Sequence, residues 1–239
     1  VTSGSATATV TLTVTITAAS NEPTYASIAE LYANATLNEE IKIVGIVTST
    51  FKGGYFITDG TNVLGIYTYD LLAQKGDEVE LLGKYAQYNS LYQLGSISSE
   101  EILSTGNAIV ITPMVKTVAE MIALDSTDKT IHGKYYTVTG TVGMVYGDND
   151  NIGLYDGDDY IIVYYNSDPT SLAALEASLG KEVTVTVVYY TNHADDGVLV
   201  AYDNGAEGIE VAQLTDEEAL AADVAALQGL LPGAVVGDV

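Results

Sequence analysis

The chain writes one phrase twice. Residues 27–31 read SIAEL and residues 117–121 read TVAEM, so Ser27 with Glu30 and Thr117 with Glu120 each spell a capping box. In such a box the hydroxyl accepts from an early helical N–H while the carboxylate reaches back to the cap's own N–H. Each cap contributes about 1 kcal/mol. Each phrase therefore opens a short helix that lays Ile28 and Leu31, or Val118 and Met121, against something apolar. The repetition continues downstream. IKIVGIV (41–47) answers YTVTGTV (136–142), both alternating in polarity around a glycine, Gly45 or Gly140. YFITDGTNVLGIYTYD (55–70) answers IGLYDGDDYIIVYYNSD (152–168), each holding an Asp-Gly turn between two strand-like runs, a strong hairpin signal. GDEVELLGKY (76–85) then answers GKEVTVTVVYY (180–190). The offset grows from 90 at the cap to 95, 97 and 104 at the later landmarks, as insertions confined to loops produce. The chain is a tandem duplication.

Each copy reads as helix, long strand with a central glycine, hairpin, short helical crossing, long strand and final strand. The crossings are LLAQK (71–75) and DPTSLAALEASLG (168–180). A glycine inside a long first strand lets it bend and serve both sides of a small closed barrel. Five strands with a helix between the third and fourth is the element order of an OB-fold. The expected fold is mainly β: two tandem OB-fold-like barrels with short helices, over residues 23–106 and 107–213.

The phrases SIAELYANATLNEEIKIVGIVTS, GYFITDGTNVLGIYTYD and GKYAQYNSLYQL resemble the tandem OB-fold modules of large secreted and cell-surface proteins of bacteria, across roughly residues 24–213. That resemblance implies an extracellular location, often beside bacterial Ig-like domains and sometimes beside extracellular nucleases or phosphatases.

The two ends extend this expectation. TATVTLTVTITA (7–18) alternates for twelve residues, with Val10, Leu12, Val14 and Ile16 on its dry face. At ~3.3 Å per residue such a strand would run about 40 Å and must pair with something. Residues 215–239 begin with a third capping box, Thr215 with Glu218, and reach AVVGDV, a strand start carrying Val235 and Val236. Residues 1–22 and 214–239 thus read as pieces of an atrophied Ig-like domain. One completion is by neighbouring copies, a head-to-tail contact that builds a fibre with those six apolar residues as assembly positions. The others are that the long strand folds back on its own neighbouring domain, or that the sequence is a slice of a longer repeating protein cut inside an Ig-like domain.

Charge narrows the partners. Thirty-two Asp and Glu face 8 Lys and no Arg, for a net charge of −24. Phosphate backbones are held by clustered cations, and Arg is the favoured reader of guanine. The expectation is therefore no nucleic acid, and equally no anionic membrane. No run approaches the ~18–20 apolar residues of a membrane span, so membrane insertion is not expected. Cysteine is absent, which removes disulfides and thiolate metal sites.

Three clusters could carry chemistry. YGDNDNIGLYDGDD (146–159) is the densest in oxygen, and Asp148, Asp150, Asp156 and Asp159 could converge on one Ca²⁺. Ile152 occupies a position where a calcium loop needs an oxygen, and strands flank the stretch, so this is not an EF-hand. The plain alternative is a solvated hairpin end. TNHADDG (191–197) puts His193, Asp195 and Asp196 in the last hairpin, a weak metal signal beside the reading as a polar turn. His132 reads as structural. Tyrosines mark the hairpin strands, among them Tyr55, Tyr67, Tyr69, Tyr155 and Tyr164. The outer face of OB strands two and three is where such folds stack bases or sugars, and without cations a neutral cell-wall glycan is the more credible ligand. Packing is the ordinary role of a strand tyrosine. No nucleophile elbow, HExxH or P-loop occurs. The expectation is a non-enzymatic structural segment of a surface protein, a spacer, surface-layer or fibre subunit that requires no cofactor and has Ca²⁺ as its candidate ion, with glycan binding as the alternative.

Overall fold

The structure is a computed structural model that describes residues 24–51, 53–70, 72–145, 151–166, 175–194, 196–202 and 210–211. The first copy holds helix α1 (Ile28–Asn34) and strands β1 (Glu40–Phe51), β2 (Gly54–Thr58), β3 (Val63–Tyr67), β4 (Glu78–Tyr88) and β5 (Leu91–Ser104). These close into a five-stranded barrel in the order β1-β2-β3-β5-β4, with β3 parallel to β5. The second copy holds β6 (Met114–Thr117), α2 (Val118–Ile122), a 3₁₀ turn at Lys129–Ile131, β7 (Tyr135–Val145), β8 (Asn151–Asp156), β9 (Asp159–Asn166), β10 (Glu182–His193), β11 (Gly197–Tyr202) and β12 (Glu210–Val211). Here the order is β10-β11-β9-β8-β7, β9 runs parallel to β11, and a β10–β7 pairing joins the ends. β6 lies parallel to β7 and β12 pairs with β10. The chain is mainly β, with OB-fold-like barrel topology.

The repeated residues explain the repeated geometry. β1 pairs with β4 through residues 40–46 and with β2 from 46 onward, so the partner changes at Gly45 and Ile46. A Cβ at Gly45 would sit 3.0 Å from Ile57, which is why the crossover needs a residue without one. β7 changes partner from β10 to β8 beside Gly140 in the same way. The matched GDEV and GKEV phrases also do one job. The amide of Val47 donates to Asp77 and Gly76 donates back to Val47; the amide of Val142 donates to Lys181 and Gly180 donates back to Val142. Both glycines have positive φ, +91° and +77°.

The helix caps differ in detail. Thr117 and Glu120 form the full reciprocal box. Ser27 accepts from the Glu30 amide at 3.1 Å, but the Glu30 carboxylate takes the amide of Ala26 at 2.9 Å instead of the cap's own. The first helical amide, that of Ile28, is taken by Asp59 from the β2–β3 turn at 2.8 Å. Both helices plug their barrels, α1 with Ile28 and Leu31 and α2 with Val118 and Met121. Each such buried side chain stabilises by roughly 1.5–3 kcal/mol.

The crossing in the first copy departs from expectation. Residues 72–77 form no helix: Ala73 drops into the core and the Gln74 amide bonds the Asp77 carboxylate at 2.9 Å. So short a stretch gains too few helical bonds to offset nucleation. Residues 1–22, 214–239 and the positions Val10, Leu12, Val14, Ile16, Val235 and Val236 lie outside the described residues, as do Asp148 and Asp150.

Besides the two barrel cores there is a third apolar cluster, built between the copies. Phe51, Phe56 and Leu91 from the first barrel meet Tyr135, Val188 and Tyr190 from the second. The Phe51 and Tyr190 rings stand edge to face at 5.1 Å. Gly133, at φ +71°, lies so close that a Cβ would come within 2.7 Å of Phe56 and closer still to Val63. The Tyr135 hydroxyl donates to the Thr48 carbonyl at 2.8 Å, and the Lys129 ammonium donates to the Tyr32 carbonyl at 2.9 Å.

Candidate functional site

The junction decides which surfaces remain free. Phe56 on β2 and Val63 on β3 stand on the outer face of the first barrel, the surface that OB-folds commonly offer to ligands. The second barrel covers it there. Tyr55, next along β2, points the other way into the barrel core, fully buried, with its hydroxyl on the Glu100 carboxylate at 3.0 Å. Desolvation and the Glu100 charge both push its pKa up.

At the edge of the junction lies a patch of tyrosines. Tyr67 closes β3 and is 38% exposed; Tyr69 follows at 73%, and Tyr88 ends β4 at 38%. Tyr67 and Tyr69 meet edge to face at 5.4 Å, and their hydroxyls bond at 2.9 Å. That bond, followed by partial desolvation, raises the Tyr67 pKa, and Tyr88 is near enough to add to the effect. Gly53, at φ +95°, underlies the rings at ordinary contact distance. Tyr155 stands apart, tilted against Tyr160 at 5.1 Å and in reach of the Met144 carbonyl at 3.1 Å. Tyr164 lies on β9.

Two cavities flank the junction. One, of about 590 Å³, is walled by the 108–112 connection, the Asp59-Gly60 turn and Gly133–Tyr135. Three of its polar side chains are already engaged: Asp59 accepts from Ile28, Thr61 and Asn62, Tyr135 serves Thr48, and Thr48 serves Phe56. The other, of about 630 Å³, opens where the last hairpins of both barrels meet. Asn89 and Ser90 form the two-residue β4–β5 turn, with Asn89 at φ +50°, and Asn192, His193 and Ala194 come from the β10–β11 end. Ser126 and Thr127 complete the wall.

Beneath this cleft sits a buried polar network that ties the barrels together. Ser90 Oγ accepts from the Asn192 amide at 2.8 Å, lies 3.1 Å from Thr191 Oγ1 and lies 3.0 Å from His132 Nε2. His132 is 1% exposed, its ring edge-on to Tyr189 at 5.4 Å. Burial pushes its pKa down to about 4, against the opposing pull of the Lys129 and Asp128 carbonyls and the Asp128 carboxylate. Among the described residues Nδ1 has no hydrogen-bond partner. A hydroxyl beside an imidazole invites comparison with a nucleophile and its base. Burial weakens this imidazole as a base, and among the described residues no group orients its far nitrogen; what the contact does here is tie the two barrels together.

The metal expectations are only partly in view. Asp156 and Asp159 pair across the tight β8–β9 turn. His193 Nδ1 lies 3.0 Å from Asp196, and Asp195 falls outside the described residues. Among the described residues no group of three or more potential ligating side chains gathers.

The sequence reading missed Ser90, Asn89 and Asn192. A signal for them exists: the polar NS at 89–90 forms the turn of the first copy's last hairpin, and the polar TNH at 191–193 ends β10 in the second.

Neither a protein family nor a curated protein matches the chain. Solved structures do. A replication protein A heterotrimer bound to ssDNA aligns at 11% identity and TM-score 0.28, covering 89% of this chain and 74% of that one. A murine DNA-binding protein bound to double-stranded DNA aligns at 10% and 0.33, covering 73% and 97%. The HINa domain of Ifi202 with a 20-base-pair duplex aligns at 10% and 0.34, covering 76% and 100%.

These neighbours correct two expectations from the sequence. The expectation of no nucleic acid is withdrawn, set against solved structures that are described as DNA-bound. The readings as a surface spacer, fibre subunit or glycan-binding module, and as a partner of its own copies or of Ig-like domains, are likewise set aside; the three structures above are described as bound to DNA. At such identities and scores the likeness itself assigns no partner.

Proposed function

We propose that the chain is a non-catalytic recognition module that binds a basic segment of a partner polypeptide on the Tyr67–Tyr69–Tyr88 patch. The observation that carries this reading is the exposure of three neighbouring tyrosines on a chain of net charge −24. Aromatic faces attract ammonium and guanidinium groups, by about 0.5–1 kcal/mol each at exposed sites. A field of uncompensated carboxylates speeds the approach of a cationic partner. The chain uses the same chemistry internally: the Lys129 ammonium lies 4.2 Å from the Tyr92 ring centre. Among the described residues no cation lies over Tyr67, Tyr69 or Tyr88.

Titration calorimetry with Lys- and Arg-containing peptides at physiological salt tests the reading. Tyr67→Ala and Tyr69→Ala leave the net charge untouched, so each should weaken binding about two- to fivefold. Equal affinity for wild type and both variants would leave only diffuse attraction and end the proposal. A DNA duplex belongs in the same titration; binding to it through the patch in preference to the peptides would also end it. The reading extends to location. The resemblance to modules of secreted and surface proteins of bacteria supports a site of action outside the cell, and recovery of the protein solely from the cytosol of its source would remove that part.

A further inference from the structure

The cleft between the last hairpins has no role in the patch, yet it shares a hairpin with it: Tyr88 belongs to one, Gln87, Asn89 and Ser90 to the other. We infer that this cleft is a second subsite that takes the main chain of the same peptide, pairing its N–H and C=O groups with the side-chain amides of Asn89 and Asn192. The inference rests on the peptide reading above.

Three observations support it. The lining carries amides and hydroxyls from both barrels and, apart from His193, no ionisable group other than the phenol of Tyr92. Such a surface complements an uncharged group that both donates and accepts, and a side-chain amide matches a peptide group in donor–acceptor spacing. Second, these groups are free. The side-chain amides of Asn89 and Asn192 and the hydroxyl of Ser126 make no hydrogen bond to the described residues, whereas Asp59, Thr48 and Tyr135 of the 590 Å³ cavity are spent on its own walls. Third, the walls are held in place. Ser90 Oγ fixes the Asn192 backbone at 2.8 Å, and the Ser90 amide donates to Thr191 Oγ1 at 3.2 Å, so the two hairpins bearing the amides are joined from below. Groups preset in this way lose little freedom on binding. The aromatic ring in the cleft, Tyr92, already packs against Tyr85 at 5.7 Å and carries the Lys129 ammonium, which disfavours a stacked sugar there.

Backbone N-methylation of the peptide removes its N–H donors and leaves its charges alone. A capped Lys-containing peptide and its N-methylated form are titrated against the wild type, Asn89→Ala/Asn192→Ala and Tyr69→Ala. The inference expects N-methylation to weaken wild-type binding at least tenfold and to change the double variant's affinity by less than twofold. An equal penalty in both proteins would trace the loss to peptide conformation and overturn it, as would displacement of the peptide by neutral oligosaccharide. If Tyr69→Ala weakens binding while N-methylation does nothing, the subsite fails and the patch stands. If no peptide binds the wild type, both fail together.

Discussion

His132 Nε2 lies 3.0 Å from Ser90 Oγ, joining residues 42 positions apart and fastening one barrel to the other. The contact belongs to a ring buried to 1% exposure and held neutral by that burial. In the unfolded chain the same imidazole binds a proton near pH 6.5, in the folded one only near 4. Between those values the unfolded state holds more protons, so stability rises with pH across the window. The contribution is complete above about pH 6.5 and lost as pH falls toward 4, about 3 kcal/mol in all. Denaturant unfolding from pH 4 to 7 checks it. The wild type minus His132→Gln difference should slope by up to about 1.4 kcal/mol per pH unit inside the window and flatten above it; parallel profiles would remove His132 as the cause.

Gly133 tests the junction. An alanine there must hold φ +71°, at about 1–2 kcal/mol, and force its Cβ against Phe56 and Val63, at about 1–3 kcal/mol. Gly133→Ala should therefore destabilise by about 2–5 kcal/mol. Gly157→Ala is the control, because its φ is also positive, +62°, but a Cβ there meets open space. It should cost only about 1–2 kcal/mol. Equal losses in the two variants would mean that the barrels do not press together at Gly133.

Asp59 and Asp156 occupy the same place in the two copies and do unequal work. Asp59 receives amides from Ile28, Thr61 and Asn62 at 2.8–2.9 Å, serving a helix start and a turn together. Removing it strands the amide of buried Ile28, so Asp59→Ala should lose about 1–3 kcal/mol. Asp156→Ala should stay within about 0.5 kcal/mol, as an exposed carboxylate with no such duty among the described residues. Thermal melts of the two single variants decide between this asymmetry and an equal role.

What the sequence made legible was local. A capping box spans four residues and a crossover glycine marks its own strand, so Thr117, Gly45, Gly140 and the Gly76–Gly180 pair could be read directly. The junction could not, because it joins distant outward-facing positions. Its trace was present all the same: GYFIT at 54–58 and VVYY at 187–190 are apolar at successive positions, which is how a strand buried on both faces reads. Taking those runs as one-sided strands leaves a ligand face open on paper that is closed in the fold. Tyr55 and Tyr67 look alike in such a reading, since alternation sorts residues to two faces without saying which face is covered. The Ser90–His132 contact depends on how two barrels dock, which no local pattern encodes.

The tyrosines thus divide into scaffold and surface, and substitution separates them. Tyr55 is fully buried with its hydroxyl bonded to Glu100, so Tyr55→Ala opens a cavity and orphans a carboxylate partner, at about 3–5 kcal/mol. Tyr69 is 73% exposed and touches mainly Tyr67, so Tyr69→Ala should change stability by less than about 0.5 kcal/mol. Chemical denaturation of both variants gives the comparison. A large loss at Tyr69 would make that ring part of the packing and deprive the recognition surface of its most accessible member. Stability unchanged at Tyr69, together with weakened peptide binding, is the combination expected of a residue kept on the surface for contact with another molecule.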